Sequence, residues 1–172
     1  MNKNMLFVRA AFFLVLLLVS QSLRFVLPLP PFISMFVIGT SLNAILLMSS
    51  FETNFKLTAT IATIAPIVAF MQGMLPLPVF IPVIAAGNLA YIVVVVLTKR
   101  QKQIITALTA PIIKTLTLFA GLHIVLAFFI LPEKIATAMS FALSWSQLIT
   151  GFCGALLGFF LLARIGTKKN NY

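Results

Sequence analysis

The chain has 172 residues, of which 62% are hydrophobic and only 8% are charged, and its formal net charge is +10 at pH 7. Soluble domains are about half apolar and about one-quarter charged, so this composition excludes a soluble globular protein. Only two residues are acidic, one is histidine and one is cysteine, which leaves few groups for catalysis or metal binding.

Apolar runs of about twenty residues follow one another along the chain, each bounded by prolines or charges. A helix of that length crosses the roughly 30 Å hydrocarbon core of a bilayer. The sequence therefore predicts an all-α, polytopic membrane protein whose six transmembrane helices form one bundle, a single domain over residues 1–172. The predicted spans are 5–26, 33–50, 57–73, 80–98, 107–131 and 137–163.

Basic residues are distributed unevenly between the predicted loops. With a cytoplasmic N-terminus, the inside receives Lys3, Arg9, Lys56, Lys99, Arg100, Lys102, Arg164, Lys168 and Lys169. The outside receives only Arg24 and Lys134. This positive-inside bias predicts that both termini are cytoplasmic in a multi-pass protein of the plasma membrane. The basic residues then set the topology and contact anionic lipid headgroups, and no soluble basic surface remains for nucleic acid.

The acidic residues argue against catalysis and against ion coupling. Glu52 and Glu133 fall in predicted loops on opposite sides of the membrane, so they cannot form a catalytic pair. The sequence contains no P-loop or glycine-rich nucleotide fingerprint. We therefore expect a protein that is not an enzyme and holds no cofactor or metal. Carriers driven by protons or sodium place carboxylates at mid-membrane, so transport by this chain would need energy from elsewhere.

Three polar residues within the predicted spans are candidates for a binding site. Asn43 in the second span shares a face with Gly39, and Asn88 in the fourth shares a face with Tyr91. For both asparagines, a bond to a neighbouring helix and contact with a ligand remain open alternatives. Lys114 in the fifth span either reaches the cytoplasmic surface or a structural partner, or serves as a buried functional cation.

The sixth span has the densest pattern. Gly151, Gly154, Ala155 and Gly158 form a stripe of small residues, which permits close approach of another helix. That helix belongs either to the same bundle or to a docked partner subunit. Near the outer end, Gln147 is placed to reach a ligand, and Trp145 is either an interfacial anchor or the aromatic wall of a pocket.

A short internal repeat joins two of the predicted loops. The segment LPLPPFI at 27–33 recurs as LPLPVFI at 75–81, which is 48 positions later, and Gly39 recurs as Gly87 at the same offset. Prolines stiffen such connectors, which suits loops that cap a cavity. The alternative is that both segments are ordinary proline-containing turns.

Several of these segments resemble the S components of energy-coupling-factor (ECF) transporters. The resemblance rests on residues 38–46 (IGTSLNAIL), 75–78 (LPLP), 82–88 (PVIAAGN) and 144–151 (SWSQLITG). It implies a six-helix subunit that binds a vitamin or vitamin precursor from outside. It also implies as partners a membrane-embedded T component and two cytoplasmic ATPases, which use the ATP. Many S components dock through an Ala-x-x-x-Ala pattern in the first helix, and this pattern is missing around Ala10 and Ala11.

The leading hypothesis is therefore a substrate-binding subunit with a pocket in the outer half, between the fourth, fifth and sixth spans. The predicted pocket residues are Asn88, Gln147 and Trp145, followed by Lys114 and Asn43. Amides, an aromatic ring and a cation suit a small heteroaromatic or weakly anionic solute. The alternative is a structural or assembly subunit of another membrane complex, in which the small-residue stripe docks a partner and no ligand cavity exists.

Overall fold

A computed structural model describes residues 3–26 and 30–166, and all regular structure in these ranges is α-helical. The helices are α1 (Lys3–Val26), α2 (Pro31–Glu52), α3 (Phe55–Met71), α4 (Phe80–Thr98), α5 (Gln103–Phe128), α6 (Glu133–Ala142) and α7 (Trp145–Ile165). The prediction of an all-α chain is confirmed. Lys168 and Lys169, which count toward the predicted charge bias, lie outside the described residues.

Five helical segments are long and apolar enough to cross a membrane. They are α1, α2, α4, α5 and the segment formed by α6 and α7 together, whereas α3 has 17 residues and is shorter. Large apolar side chains also cover the outside of the helices, as at Phe7, Val8 and Phe12 of α1. An apolar exterior of this kind is compatible with a membrane protein. Six crossings and the orientation remain predictions.

The predicted sixth span is not one continuous helix, because α6 ends at Ala142 and α7 begins at Trp145. Side chains from the start of α7 form hydrogen bonds across this break. The Ser146 hydroxyl donates to the carbonyls of Phe141 and Ala142, and the Gln147 amide donates to that of Ala142. They therefore bond carbonyls at the end of α6, where a helix leaves its last carbonyls without intrahelical partners. Apolar length alone does not reveal such a break.

Helices α2 and α7 run parallel and touch through glycines. Gly39 of α2 faces Thr150 of α7, and Gly154 of α7 faces the backbone of Thr40 and the Cβ of Asn43. A Cβ on Gly154 would lie 2.6 Å from both the Thr40 carbonyl oxygen and the Asn43 Cβ. Glycine is therefore required where the two backbones approach this closely.

The two glycines of the internal repeat both lie at helix crossings. Gly39 meets α7, while Gly87 of α4 meets Leu118 of the antiparallel α5. The repeated glycines thus share a packing role with different partner helices. The first proline-rich loop cannot be compared with the second, because residues 27–29 lie outside the described residues.

Polar contacts join the helices at one end of the bundle, which we call the basic end. There Arg9 of α1 pairs with Glu52 of α2 at 2.5 Å, and the Lys99 ammonium after α4 donates to the Ser50 carbonyl near the end of α2. Partial burial lowers the pKa of Lys99. The described basic residues at this end are Lys3, Arg9, Lys56, Lys99, Arg100, Lys102 and Arg164. Arg24 and Lys134 lie at the opposite end.

Candidate functional site

A lysine, an asparagine and a tyrosine from three helices meet inside the bundle, and we call this group the interior polar centre. The Lys114 ammonium of α5 donates to the Asn43 side-chain oxygen of α2 over 2.7 Å. Its nitrogen also lies 5.7 Å from the ring centroid of Tyr91 in α4, within range of a cation–π contact. Lys114 is only 2% exposed and the other two are fully buried. Lys114 therefore points into the bundle instead of extending to a surface.

Local packing orients the asparagine of the interior polar centre. The Asn43 side-chain nitrogen donates to the carbonyl of Gly39 one turn earlier, at 2.9 Å. Gly154 of α7 packs against its Cβ, so the side chain has little room to move. The amide oxygen is thereby directed to Lys114. This arrangement makes Asn43 an acceptor for the ammonium across the space between α2 and α5.

The charge of Lys114 is paired with an amide dipole and an aromatic face. The two carboxylates of the chain lie at helix ends. Glu52 is at the end of α2, paired with Arg9, and Glu133 is at the start of α6. A buried ammonium is costly unless it is paired and hydrogen-bonded. The Asn43 oxygen and the Tyr91 ring therefore provide the observed partners of the Lys114 ammonium.

Asn88 lies on α4 one turn before Tyr91 and has an identifiable structural task. Its side-chain nitrogen donates to the carbonyl of Ala62 in α3 over 3.2 Å. The helical partner of that carbonyl would be the N–H of residue 66, and residue 66 is a proline inside α3. Asn88 therefore supplies the hydrogen bond that Pro66 cannot make. Asn88 thus makes an interhelical bond through its nitrogen, and its contact with a ligand stays a prediction.

Two buried oxygen atoms of α4 have no hydrogen-bond partner within the described part of the chain. They are the side-chain oxygen of Asn88 and the hydroxyl of Tyr91. Buried polar groups are normally bonded to protein, water or ligand. The Tyr91 hydroxyl belongs to the interior polar centre, whereas the Asn88 side chain faces α3. Tyr91 was not among the predicted pocket residues, although its position three residues after Asn88 places both on one face.

Gln147 and Trp145 are separate from the interior polar centre, at the break between α6 and α7. Gln147 bonds the Ala142 carbonyl at 2.9 Å. Trp145 is 48% exposed and lies in a row of aromatic rings, 5.1 Å from Phe141 and 6.3 Å from Phe36 between centroids. The structure thus brings Lys114 and Asn43 together, whereas Gln147 and Trp145 lie at the α6–α7 break.

The small-residue stripe of α7 is covered by helices of the same chain. Gly151 packs on the ring of Pro111 in α5, Gly154 on Asn43, and Gly158 on Leu47 of α2. Ala155 is fully buried. A partner could reach these four residues only by displacing α2 or α5. In the described conformation, the helices that approach Gly151, Gly154, Ala155 and Gly158 therefore belong to the same bundle. Docking of a partner subunit at these residues stays a prediction.

Among the hollows on the surface of the described bundle are two with volumes of about 350 and 530 Å³. The smaller lies between the start of α5 and the end of α7, and the larger lies between α4 and α5 around Pro82 and Gly121. Neither is lined by the predicted pocket residues Asn88, Gln147, Trp145, Lys114 or Asn43. A solute bound at the interior polar centre would therefore lie outside both of these hollows, among side chains that are buried.

Comparison with family models, with curated proteins and with solved structures finds no match. Within residues 3–26 and 30–166, no cluster of three or more histidine, cysteine or acidic side chains is arranged to hold a metal ion. The interior polar centre itself offers an ammonium, an amide and an aromatic ring.

Proposed function

We propose that the chain is the substrate-binding membrane subunit of an ECF-type, ATP-driven importer for a vitamin or vitamin precursor. The observation that carries the proposal is Lys114, a cation buried among helices and held by an amide and an aromatic face. Ionisable residues inside membrane spans mark sites of binding or transport by default. The resemblance to S components, described above, supplies the class of importer.

The chemistry of the interior polar centre defines the proposed solute. A carboxylate would replace Asn43 as the main acceptor of the Lys114 ammonium, because a bond between two charged groups is stronger than a bond to an amide. The Tyr91 ring would pack against a flat, heteroaromatic body. These features suit a small, weakly anionic and aromatic vitamin or precursor.

Energy would come from partners. In the proposed assembly a T component lies beside the chain in the plasma membrane and two cytoplasmic ATPases hydrolyse ATP. The basic end would face the cytoplasm, as the positive-inside rule predicts. With this orientation the solute enters from the end that holds Trp145 and leaves toward the ATPases.

Mass spectrometry of small molecules released from the purified protein tests the proposal. We expect one heteroaromatic, anionic compound in stoichiometric amount, and co-purification of the chain with ATPase subunits from its native membrane. Lys114→Met should lower the retained amount by about tenfold or more, since a hydrogen bond to a charged group contributes about 1.5–3 kcal/mol. Lys134→Met removes an exposed lysine and should leave retention unchanged. A chain that retains no solute and no T component in detergent would refute the proposal.

The alternative function is a structural or assembly subunit of another membrane complex. The observation that favours it is the burial of Lys114, Asn43 and Asn88, whose side-chain nitrogens each donate to an acceptor within the chain. Such a subunit would co-purify with a partner complex without ATPases and would carry no solute. Lys114→Met would then leave the co-purifying complex and its subunit composition unchanged.

A further inference from the structure

The smaller hollow lies at the basic end of the bundle, between the first turn of α5 and the last turns of α7. Its lining residues are Gln103, Ile104, Leu156, Phe159, Phe160 and Ala163. Five of these six are apolar, and Ile104, Leu156 and Phe160 are exposed on the outside of the helices. The hollow is therefore an apolar depression on a surface that would face lipid, with a volume of about 350 Å³.

Two exposed cations are sequence neighbours of lining residues, and we call this pair the charged rim of the hollow. Lys102 immediately precedes Gln103, and Arg164 immediately follows Ala163. The Arg164 guanidinium carbon lies 5.2 Å from the ring centroid of Phe160, which is itself a lining residue. The ring contact holds the guanidinium beside the hollow. A cationic rim thus adjoins an apolar wall.

The positive charge of the basic end favours a negatively charged occupant of the hollow. Seven described basic residues lie there, together with one acidic residue, Glu52, which is paired with Arg9. An occupant with a negative head and an apolar tail is complementary to both parts of the hollow. Anionic phospholipids have this build, and basic pockets between membrane helices bind their headgroups.

We propose that this hollow is a binding site for one anionic phospholipid. The lipid phosphate pairs with Lys102 and Arg164, and the guanidinium provides a fork of donors for its oxygens. An acyl chain lies along the apolar wall formed by Ile104, Leu156 and Phe160. The site is separate from the interior polar centre and does not depend on the proposed transport function.

The chain offers a matched control for the charged rim. Arg24 and Lys134 are also one arginine and one lysine, both exposed, but they lie at the opposite end of the bundle. Arg24 likewise stands over a phenylalanine, 5.7 Å from the ring centroid of Phe25. The double variants K102Q/R164Q and R24Q/K134Q therefore remove the same charge from comparable surroundings.

Native mass spectrometry of the full chain, titrated with phosphatidylglycerol or with phosphatidylcholine, measures the first lipid bound. We expect the wild type to prefer phosphatidylglycerol. K102Q/R164Q should weaken this binding by about twenty-five-fold, since each cation near a headgroup contributes about fivefold. R24Q/K134Q should change the dissociation constant by less than about twofold. Equal weakening by both double variants would overturn the proposal, because it would indicate general attraction to net charge.

Two further measurements separate a lipid site from a simple anion site. Ala163→Phe fills the hollow without changing charge and should weaken phosphatidylglycerol binding severalfold, with helicity checked by circular dichroism. Inorganic phosphate at millimolar concentration should not displace the lipid, because it makes no contact with the apolar wall. Unchanged binding in A163F, or displacement by phosphate, would show that the hollow does not hold an acyl chain and would overturn the proposal.

Discussion

The bond between Asn88 and the Ala62 carbonyl leads to a quantitative prediction. Pro66 has no N–H, so this carbonyl of α3 loses its helical donor, and the Asn88 side chain of α4 replaces it over 3.2 Å. Asn88→Ala removes the replacement and leaves a buried carbonyl without a donor. We therefore expect the variant to be destabilised through the contact between α3 and α4.

The expected magnitude follows from the burial of the group. An unsatisfied buried acceptor costs about 1–3 kcal/mol in soluble proteins, whereas side-chain bonds between membrane helices average about 0.6 kcal/mol and reach about 1.7. Asn88 is 1% exposed, so water does not compensate for the loss. Shortening the side chain adds a small cavity term. We expect Asn88→Ala to lower the free energy of unfolding by about 1–2 kcal/mol.

A second substitution isolates the hydrogen-bond part of this cost. Pro66→Ala restores an N–H that can donate to the Ala62 carbonyl within α3. In this background the Asn88 bond is redundant, so Asn88→Ala should cost about 1 kcal/mol less than in the wild type. The cavity term is common to both backgrounds and cancels in the double-mutant cycle.

Unfolding by sodium dodecyl sulfate in mixed micelles, followed by circular dichroism, measures the four free energies. Thr60→Ala provides a control on α3, because the Thr60 hydroxyl donates to the Lys56 carbonyl at an exposed position. Its effect should be the same with proline or alanine at position 66. If Asn88→Ala costs the same in both backgrounds, the argument that Asn88 compensates for Pro66 is refuted.

Two further predictions concern the packing of α7 and the basic end. Gly154→Ala should lower the melting temperature in detergent more than Gly158→Ala. The first added Cβ meets the Thr40 carbonyl oxygen at 2.6 Å, whereas the second meets the Leu47 side chain at 3.0 Å and the Ala44 carbonyl oxygen at 3.2 Å. The reverse order would contradict the described α2–α7 contact. A cycle of Arg9→Gln and Glu52→Gln should give a coupling free energy below about 1 kcal/mol that falls with added salt, since the Arg9 side chain is 39% exposed. A coupling insensitive to salt would show that the pair is more deeply buried than described.

Much of the helical layout follows from the order of apolar runs and helix-ending signals. The predicted span 80–98 coincides with α4 (Phe80–Thr98), and the predicted span 57–73 differs by two residues at each end from α3 (Phe55–Met71). The start of α3 carries a local signal, because the Asn54 side chain accepts from the N–H of Leu57 at 2.9 Å. Apolar length and capping are properties of neighbouring residues, so a sequence can indicate them directly.

Sequence by itself also identified the polar residues that are costly inside apolar helices. Asn43, Asn88 and Lys114 were recognisable because polar groups in such surroundings need partners. Sequence could not say which partners they find. Helical spacing indicates the face on which Lys114 lies, whereas only the arrangement of α2 beside α5 decides that this face meets Asn43, 71 positions away.

The tertiary structure alone decided the remaining features of the site. The carbonyl freed by Pro66 is met by Asn88 because α4 packs on α3, and the small residues of α7 are covered because α2 runs parallel to it. The break after Ala142 likewise depends on side chains that bond carbonyls across it. Hydropathy and periodicity are local quantities, and these contacts depend on how helices far apart in the chain meet.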